Sequence, residues 1–201
     1  MKLIGMLDSP YVRRVAICLK VLELEVEHHS LSVFSTFDEF RRINPVVKAP
    51  TLLLDDGQVL MDSSLILQFL DPQARLWPAA PAARARAFRL TGLALAACEK
   101  AVQVVYEHNL RPAEKLHQPW LERVHRQLFA AWAELEAELL AQPLGAQNAL
   151  GQAQVSIAVA WSFARLMLPE LVLSNDYPTL AAFAETLERL PVFIHTPAVY
   201  S

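Results

Sequence analysis

Pro50 stands directly in front of an apolar run, Thr51-Leu52-Leu53-Leu54, and is reached through Asn44-Pro45-Val46-Val47-Lys48-Ala49. Proline has no N–H to give to a β-ladder, so at the mouth of a strand it marks an edge or a special turn. A trans proline opening an edge strand is one reading. The other is a cis Ala49–Pro50 bond, which lies only about 0.5–1 kcal/mol above trans for an X-Pro linkage. A cis bond would turn the Ala49 N–H and C=O outward, where they could pair with a peptide-like ligand as a short added strand.

The chain around this turn alternates between two periodicities. Residues 2–7 form an apolar run closed by Asp8-Ser9-Pro10 and predict a strand. From Pro10, Val12, Val15, Ala16, Leu19 and Leu22 recur at helical spacing, with Pro10 suited to the first turn and Ser9 to the N-cap. Residues 24–32 alternate in part and predict a second strand; Thr36 to Ile43 predicts a short helix stopped by Asn44-Pro45. After the strand 51–54, Asp55-Asp56-Gly57-Gln58 is a hairpin turn, Val59–Met61 a fourth strand, and Asp62/Ser63 the cap of a helix running to Leu70. Strand-helix-strand implies a parallel pair and the tight turn an antiparallel one, hence a small mixed sheet flanked by helices.

Trp77-Pro78-Ala79-Ala80-Pro81-Ala82-Ala83 carries two prolines and no charge and predicts a linker. Beyond it every long segment has helical character: about 84–110, 119–142, 153–168 and 178–189. The expected organisation is therefore a sheet-containing domain over 1–76, a linker over 77–83 and an all-helical domain over 84–201.

Composition narrows the function classes. Of the 201 residues 54% are hydrophobic and 19% charged, enough for a substantial core. A net charge of −3 gives no footing for nucleic-acid binding. Cys18 and Cys98 belong to no C-x-x-C pair and suit small apolar filling in a reducing compartment, so a cytoplasmic location is expected. The first residues reach Asp8 too early for a signal peptide, and the apolar stretches 90–98 and 156–169 are too short to span a bilayer. Six histidines show no metal-ligand spacing, so no metal is expected.

Three places could carry chemistry. Ser9 lies between a strand and a helix start, where free N–H groups and the positive dipole end favour an anion such as a thiolate. Lowering a bound thiol by two pKa units needs about 2.7 kcal/mol, within reach of a hydroxyl donor plus the dipole. Ala49-Pro50 offers backbone groups. Asp62-Ser63 offers an acid for an ammonium and helix N–H groups for a carboxylate. Each alone is also served by an ordinary role: N-cap, trans edge proline, N-cap. Together, in chain order, they describe a site for a peptide thiol with a free amino-acid head.

The motifs Ser9-Pro10-Tyr11-Val12-Arg13-Arg14-Val15, Asn44-Pro45-x-x-Lys48-Ala49-Pro50-Thr51-Leu52 and Asp62-Ser63-x-x-Ile66, followed by an all-helical half, resemble the soluble glutathione transferases, and within them a serine-type bacterial member. The resemblance implies an α/β thioredoxin-like N-terminal domain with a four-stranded mixed sheet and an all-α C-terminal domain. It implies glutathione as co-substrate, held by Ser9 at the sulfur, Ala49 and Pro50 at the cysteinyl backbone, Asp62 and Ser63 at the γ-glutamyl end, and Lys48 near the glycyl carboxylate. Ser9 would be the catalytic residue. Tyr11, Tyr106 and Asn109 would line the pocket for a small hydrophobic electrophile. A homodimer without nucleic-acid or membrane partners is expected. Conjugation is the leading reaction, because a cysteine stands at the position of Ser9 in disulfide-exchanging relatives. A glutathione-dependent isomerase, dehalogenase or peroxidase and a non-catalytic interaction module are the alternatives. Two departures stand out: Val47 where the family often has glycine, and Val159 after Ser156 where a buried Ser/Thr-x-x-Asp cap is usual, a loss worth about 0.5–2 kcal/mol if the cap is absent.

Overall fold

The computed structural model describes residues 1–145 and 150–198. The chain divides into two compact units, one of Met1–Trp77 together with the segment from Arg189 onward, the other of Pro78–Glu188.

In the first unit β1 (Lys2–Ile4), β2 (Glu27–His29), β3 (Thr51–Leu53) and β4 (Val59–Leu60) form one sheet in the order β2-β1-β3-β4. β1 runs parallel to β2 and antiparallel to β3, with Leu3 opposite His28 and Leu52; β3 and β4 are antiparallel. This is the mixed, thioredoxin-like sheet that the element order predicts. Successive residues of β1 point to opposite faces, and both faces are covered: Leu3 and Ile4 are each buried. Ile4 packs with Leu31 and with Phe40 of α2 (Phe37–Ile43), flanked by Val33, Ile43, Val47 and Ala49. Two further helices belong to this unit, α1 (Pro10–Val21) and α3 (Ser63–Leu70), which pack against each other.

β1 is shorter than the predicted strand 2–7. Gly5 ends it at φ +134°, and a Cβ there would lie 2.6 Å from Val12 Cγ2 and 3.1 Å from the Ala49 Cβ. Glycine lets the strand end pass directly under the start of α1. β2 is likewise shorter than residues 24–32: three residues pair with β1.

The second unit holds α4 (Pro81–Leu110), α5 (Gln118–Ala141), α6 (Gln152–Met167) and α7 (Pro178–Glu188). α4 packs on α5 and α6, and α7 closes over both α5 and α6. Ala94, Ala97 and Ala101 are fully buried along α4, where small side chains let neighbouring helices come close. Trp132 of α5 meets Trp161 of α6 edge to face at 5.4 Å, and Trp161 meets Tyr177 at 6.0 Å in the same manner. Among the described residues no helix is long and apolar enough to cross a membrane.

The structure departs from three further expectations. Residues 81–83 belong to α4 rather than to a linker: Pro81 takes the first helical position, where its missing N–H costs nothing. The segment from Arg189, which the sequence boundary assigns to the helical domain, returns to the first unit through α8 (Pro191–Ile194), and its last three residues lie outside the described ones. The start of α6 precedes Ser156, so Ser156 and Val159 are buried mid-helix residues rather than a damaged cap. Gly151 is the N-cap, and Gln154 Oε1 accepts its N–H at 3.2 Å.

Candidate functional site

Ser9 is the N-cap of α1, and Pro10 follows at the first helical position. Its Oγ accepts the Val12 N–H at 3.4 Å, and its carbonyl accepts from Arg13 N. A hydroxyl has one proton and two lone pairs, so accepting this bond leaves the proton to be given elsewhere. Among the described residues nothing accepts it. The side chain is half-buried, and the first turn of α1 contains no acid to oppose an anion. Asp8, just before it, is held above the usual carboxylate range by burial, against hydrogen bonds from the N–H groups of Ser9 and Asp8.

The Ala49–Pro50 bond is cis, as is the Met61–Asp62 bond. Neither the N–H nor the C=O of Ala49 bonds to another backbone group among the described residues. The turn is held by Asn44, which is 2% exposed. Asn44 Nδ2 donates to Thr51 Oγ1 at 2.8 Å, Thr51 Oγ1 donates to the Lys48 carbonyl at 2.7 Å, and Asn44 Oδ1 accepts the Val46 N–H at 3.0 Å. This relay crosses the turn and fixes Lys48–Ala49–Pro50 against β3. Sequence reasoning noted Asn44 only as part of a motif. A buried amide at a helix stop, two prolines apart from a β-branched hydroxyl, is the signal that could have found it. The Lys48 side chain itself is exposed.

Asp62 is the N-cap of α3, its Oδ1 accepting the N–H groups of Ser64 at 2.9 Å and Leu65 at 3.3 Å. Ser63 is the first helical residue and is 3% exposed. Its Oγ accepts a bond from Arg14 Nη1 at 3.0 Å, and Ser64 Oγ accepts from the same nitrogen at 3.2 Å. Arg14 is a residue that sequence reasoning left without a role.

All six expected glutathione-contacting residues, Ser9, Lys48, Ala49, Pro50, Asp62 and Ser63, thus belong to the first unit. Tyr11 is the second residue of α1. Tyr106 and Asn109 lie three apart near the end of α4 in the helical unit, both exposed. The basic residues at the start of α4 are engaged within their own unit: Arg84 Nε bonds the Pro78 carbonyl, Arg86 Nη2 bonds the carbonyls of Glu138 and Gln142, and Arg89 pairs with Glu134 and Glu138. Among the described residues no group of three or more His, Cys, Asp or Glu side chains is placed to hold a metal ion.

Residues 3–78 match the glutathione S-transferase N-terminal domain, and residues 118–186 match the glutathione S-transferase C-terminal domain. A glutathione transferase family member from Pseudomonas fluorescens Pf-5, solved with bound glutathione, is 32% identical with a TM-score of 0.80, the match covering 97% of each chain. The chain belongs to the glutathione S-transferase family. Another structure of a family member from that strain, with bound S-(propanoic acid)-glutathione, has the same identity and TM-score over 98% of both chains. A probable maleylacetoacetate isomerase of Caenorhabditis elegans is 28% identical to this transferase-family chain over 196 residues, covering 90% of it and 84% of the relative. The family match accounts for the mixed sheet and the helical unit together, and it gives the three motifs a common setting.

Proposed function

We propose that this chain is a glutathione-dependent enzyme of the cytoplasm that uses the peptide's thiolate as a nucleophile. The observation that carries the reading is the Ser9 hydroxyl: seated at the N-terminus of α1, it spends a lone pair on Val12 N–H and keeps its proton for an acceptor outside the chain. The glutathione-bound relative at 32% identity supports glutathione as the source of that acceptor. Glutathione would lie with its γ-glutamyl end at Asp62 and Ser63, its cysteinyl backbone against Ala49 and its sulfur at Ser9, with Lys48 free to reach its glycyl carboxylate. The thiol releases its proton to water. The Ser9 O–H and the dipole of α1 then stabilise the sulfur anion near neutral pH.

From that state the leading reaction is conjugation. The sulfur lone pair forms a C–S bond to a small apolar electrophile, and the displaced group leaves with the electron pair or the adduct takes up a proton. Tyr11, Tyr106 and Asn109 are the proposed electrophile contacts. A second reading has a specific support: two relatives covering 90% of this chain, at 28% and 26% identity, are named probable maleylacetoacetate isomerases. In that chemistry the thiolate adds to a conjugated double bond, the new single bond rotates, and the thiolate is expelled. Glutathione is regenerated rather than consumed. Following glutathione consumption with a panel of halogenated and unsaturated electrophiles separates the two.

The reading is tested at Ser9. Ser9→Ala is expected to lower turnover at least tenfold, with glutathione affinity by calorimetry changed less than threefold. An unaltered turnover removes Ser9 from the chemistry, and absence of glutathione binding by the unmodified protein at millimolar concentration leaves a non-catalytic module. A homodimer is proposed as the working assembly. Leu65 and Phe69, exposed one turn apart on α3, supply apolar surface for it. Sedimentation velocity checks it, and a single species of monomer mass removes it.

A further inference from the structure

We propose that Arg14 is the positioning residue of the carboxylate subsite, orienting the hydroxyls of Ser63 and Ser64 so that both direct their protons at the α-carboxylate of the bound γ-glutamyl group. The inference rests on the glutathione reading above and assigns a function to a side chain that reading does not use.

Arg14 lies on the buried side of α1 and is 2% exposed. A guanidinium keeps its charge at any physiological pH and is costly to bury unless its N–H groups find acceptors. One of its nitrogens, Nη1, carries two hydrogens, and two hydroxyl oxygens lie within reach of it: Ser63 Oγ at 3.0 Å and Ser64 Oγ at 3.2 Å. A guanidinium nitrogen donates only, so both hydroxyls accept. Neither can then turn its own proton back along that bond. Among the described residues no acceptor takes the proton of either hydroxyl.

Both serines are in the first turn of α3, where backbone donors also gather. Asp62 Oδ1 takes the N–H groups of Ser64 and Leu65. The Ser63 N–H has no acceptor among the described residues. One backbone N–H and two hydroxyl protons are thus left over at one helix end, with the Arg14 guanidinium behind the two hydroxyls. A carboxylate, acceptor-only and negative, matches this set; a neutral amide, which must also place two donors, does not. With Arg14 excluding the rotor position along its own bond for each hydroxyl, the ligand has less ordering to impose on binding. Arg14 does not touch the carboxylate in this arrangement; it acts through Ser63 and Ser64.

The test is calorimetric titration of the full chain with glutathione and with its analogue carrying an α-carboxamide on the γ-glutamyl group. The unmodified protein is expected to prefer glutathione at least tenfold. Arg14→Met is expected to weaken glutathione about tenfold and the amide less than twofold, so that the preference collapses. Arg14→Lys keeps the charge and a buried stem but replaces the fixed planar fork with a freely rotating ammonium at a shorter reach, and is expected to lose a factor of about three to five in preference. Ser63→Ala is expected to collapse the preference as well, with little further loss when combined with Arg14→Met. Equal weakening of both ligands by Arg14→Met marks a general packing role and overturns the inference. If Arg14→Met does not fold, full retention of the preference in both Arg14→Lys and Ser63→Ala overturns it. An unmodified protein that binds both ligands equally also overturns it, while the glutathione reading stands. Failure to bind glutathione at all removes that reading and this inference with it.

Discussion

Val47 is where a departure visible in one residue acquires a physical meaning. It stands in the left-handed region at φ +51°, a conformation that a β-branched side chain adopts only under compulsion from its surroundings. Its neighbours supply the compulsion: Val47 packs on the Ile4–Leu31–Phe40 cluster while the Asn44–Thr51–Lys48 relay closes the turn around it. Removing the side chain should therefore cost packing, but removing the Cβ should also relieve the backbone. Val47→Gly is expected to be more stable than Val47→Ala by about 1 kcal/mol, the reverse of the usual order, as read by urea denaturation. Cys18 gives a second residue-scale expectation. Burial pushes its thiol from 9.0 up to about 12, Arg14 pulling it down and Asp71 up by smaller amounts. Below pH 9 the thiol is protonated in both the folded and the unfolded chain. Between pH 9 and about 12 the unfolded chain ionises first, so stability is lost as pH rises through that window. Denaturation midpoints measured at pH 8 and pH 10.5 should fall further apart for the unmodified protein than for Cys18→Ala.

Among the elements, helix starts divide into those capped from nearby and those capped from afar. α1 and α3 begin at Ser9 and Asp62, residues whose own side chains take the first free N–H groups, and both starts are legible because cap and helix are adjacent in sequence. α7 begins differently. Glu136, on α5, accepts the N–H groups of Thr179 at 2.8 Å and Leu180 at 2.7 Å, one through each carboxylate oxygen. Its partners lie 43 and 44 residues further along the chain, and no local pattern announces the pairing. Glu136→Ala should cost about 1–2 kcal/mol and weaken α7 first, visible as faster amide exchange at Thr179 and Leu180. Glu136→Gln should recover only part of that loss, since an amide offers a single acceptor oxygen. The start of α6 teaches the same lesson in reverse. Ser156 and Val159 looked like a cap that had lost its acid, yet the helix begins at Gln152, where Gln154 reaches back to Gly151. A capping pattern fixes a helix start only if its register is known.

At the level of the whole molecule, the first unit is assembled from two stretches of chain. Phe193 of α8 is fully buried, the Arg13 guanidinium lies 5.7 Å from its ring centroid, and Arg13 Nε bonds the Thr196 carbonyl at 2.8 Å. Arg13 is itself 3% exposed, so removing the returning segment would leave a buried charge without one of its acceptors as well as an empty aromatic site. A chain ending at Glu188 is expected to lose at least 3 kcal/mol of stability in the first unit, and Phe193→Ala about 3–5 kcal/mol, both read by thermal and denaturant unfolding. Composition gave no hint of this closure, because the segment mixes apolar and polar residues much as the rest of the chain does.

Features that depend on neighbours were legible along the chain: the alternation of strand and helix, the caps at Ser9 and Asp62, the proline turn before β3 and the switch to helices alone. These follow from side-chain period, proline geometry and short-range hydrogen bonds, which act over a few residues. Which distant groups complete them came from the folded arrangement. Arg14 reaches Ser63 across 49 positions, Glu136 reaches the start of α7, and Arg13 reaches Thr196 across 183. The physical reason is burial. A charge or an amide taken out of water must find its partner wherever folding brings one, and the chain's local pattern carries no record of where that will be.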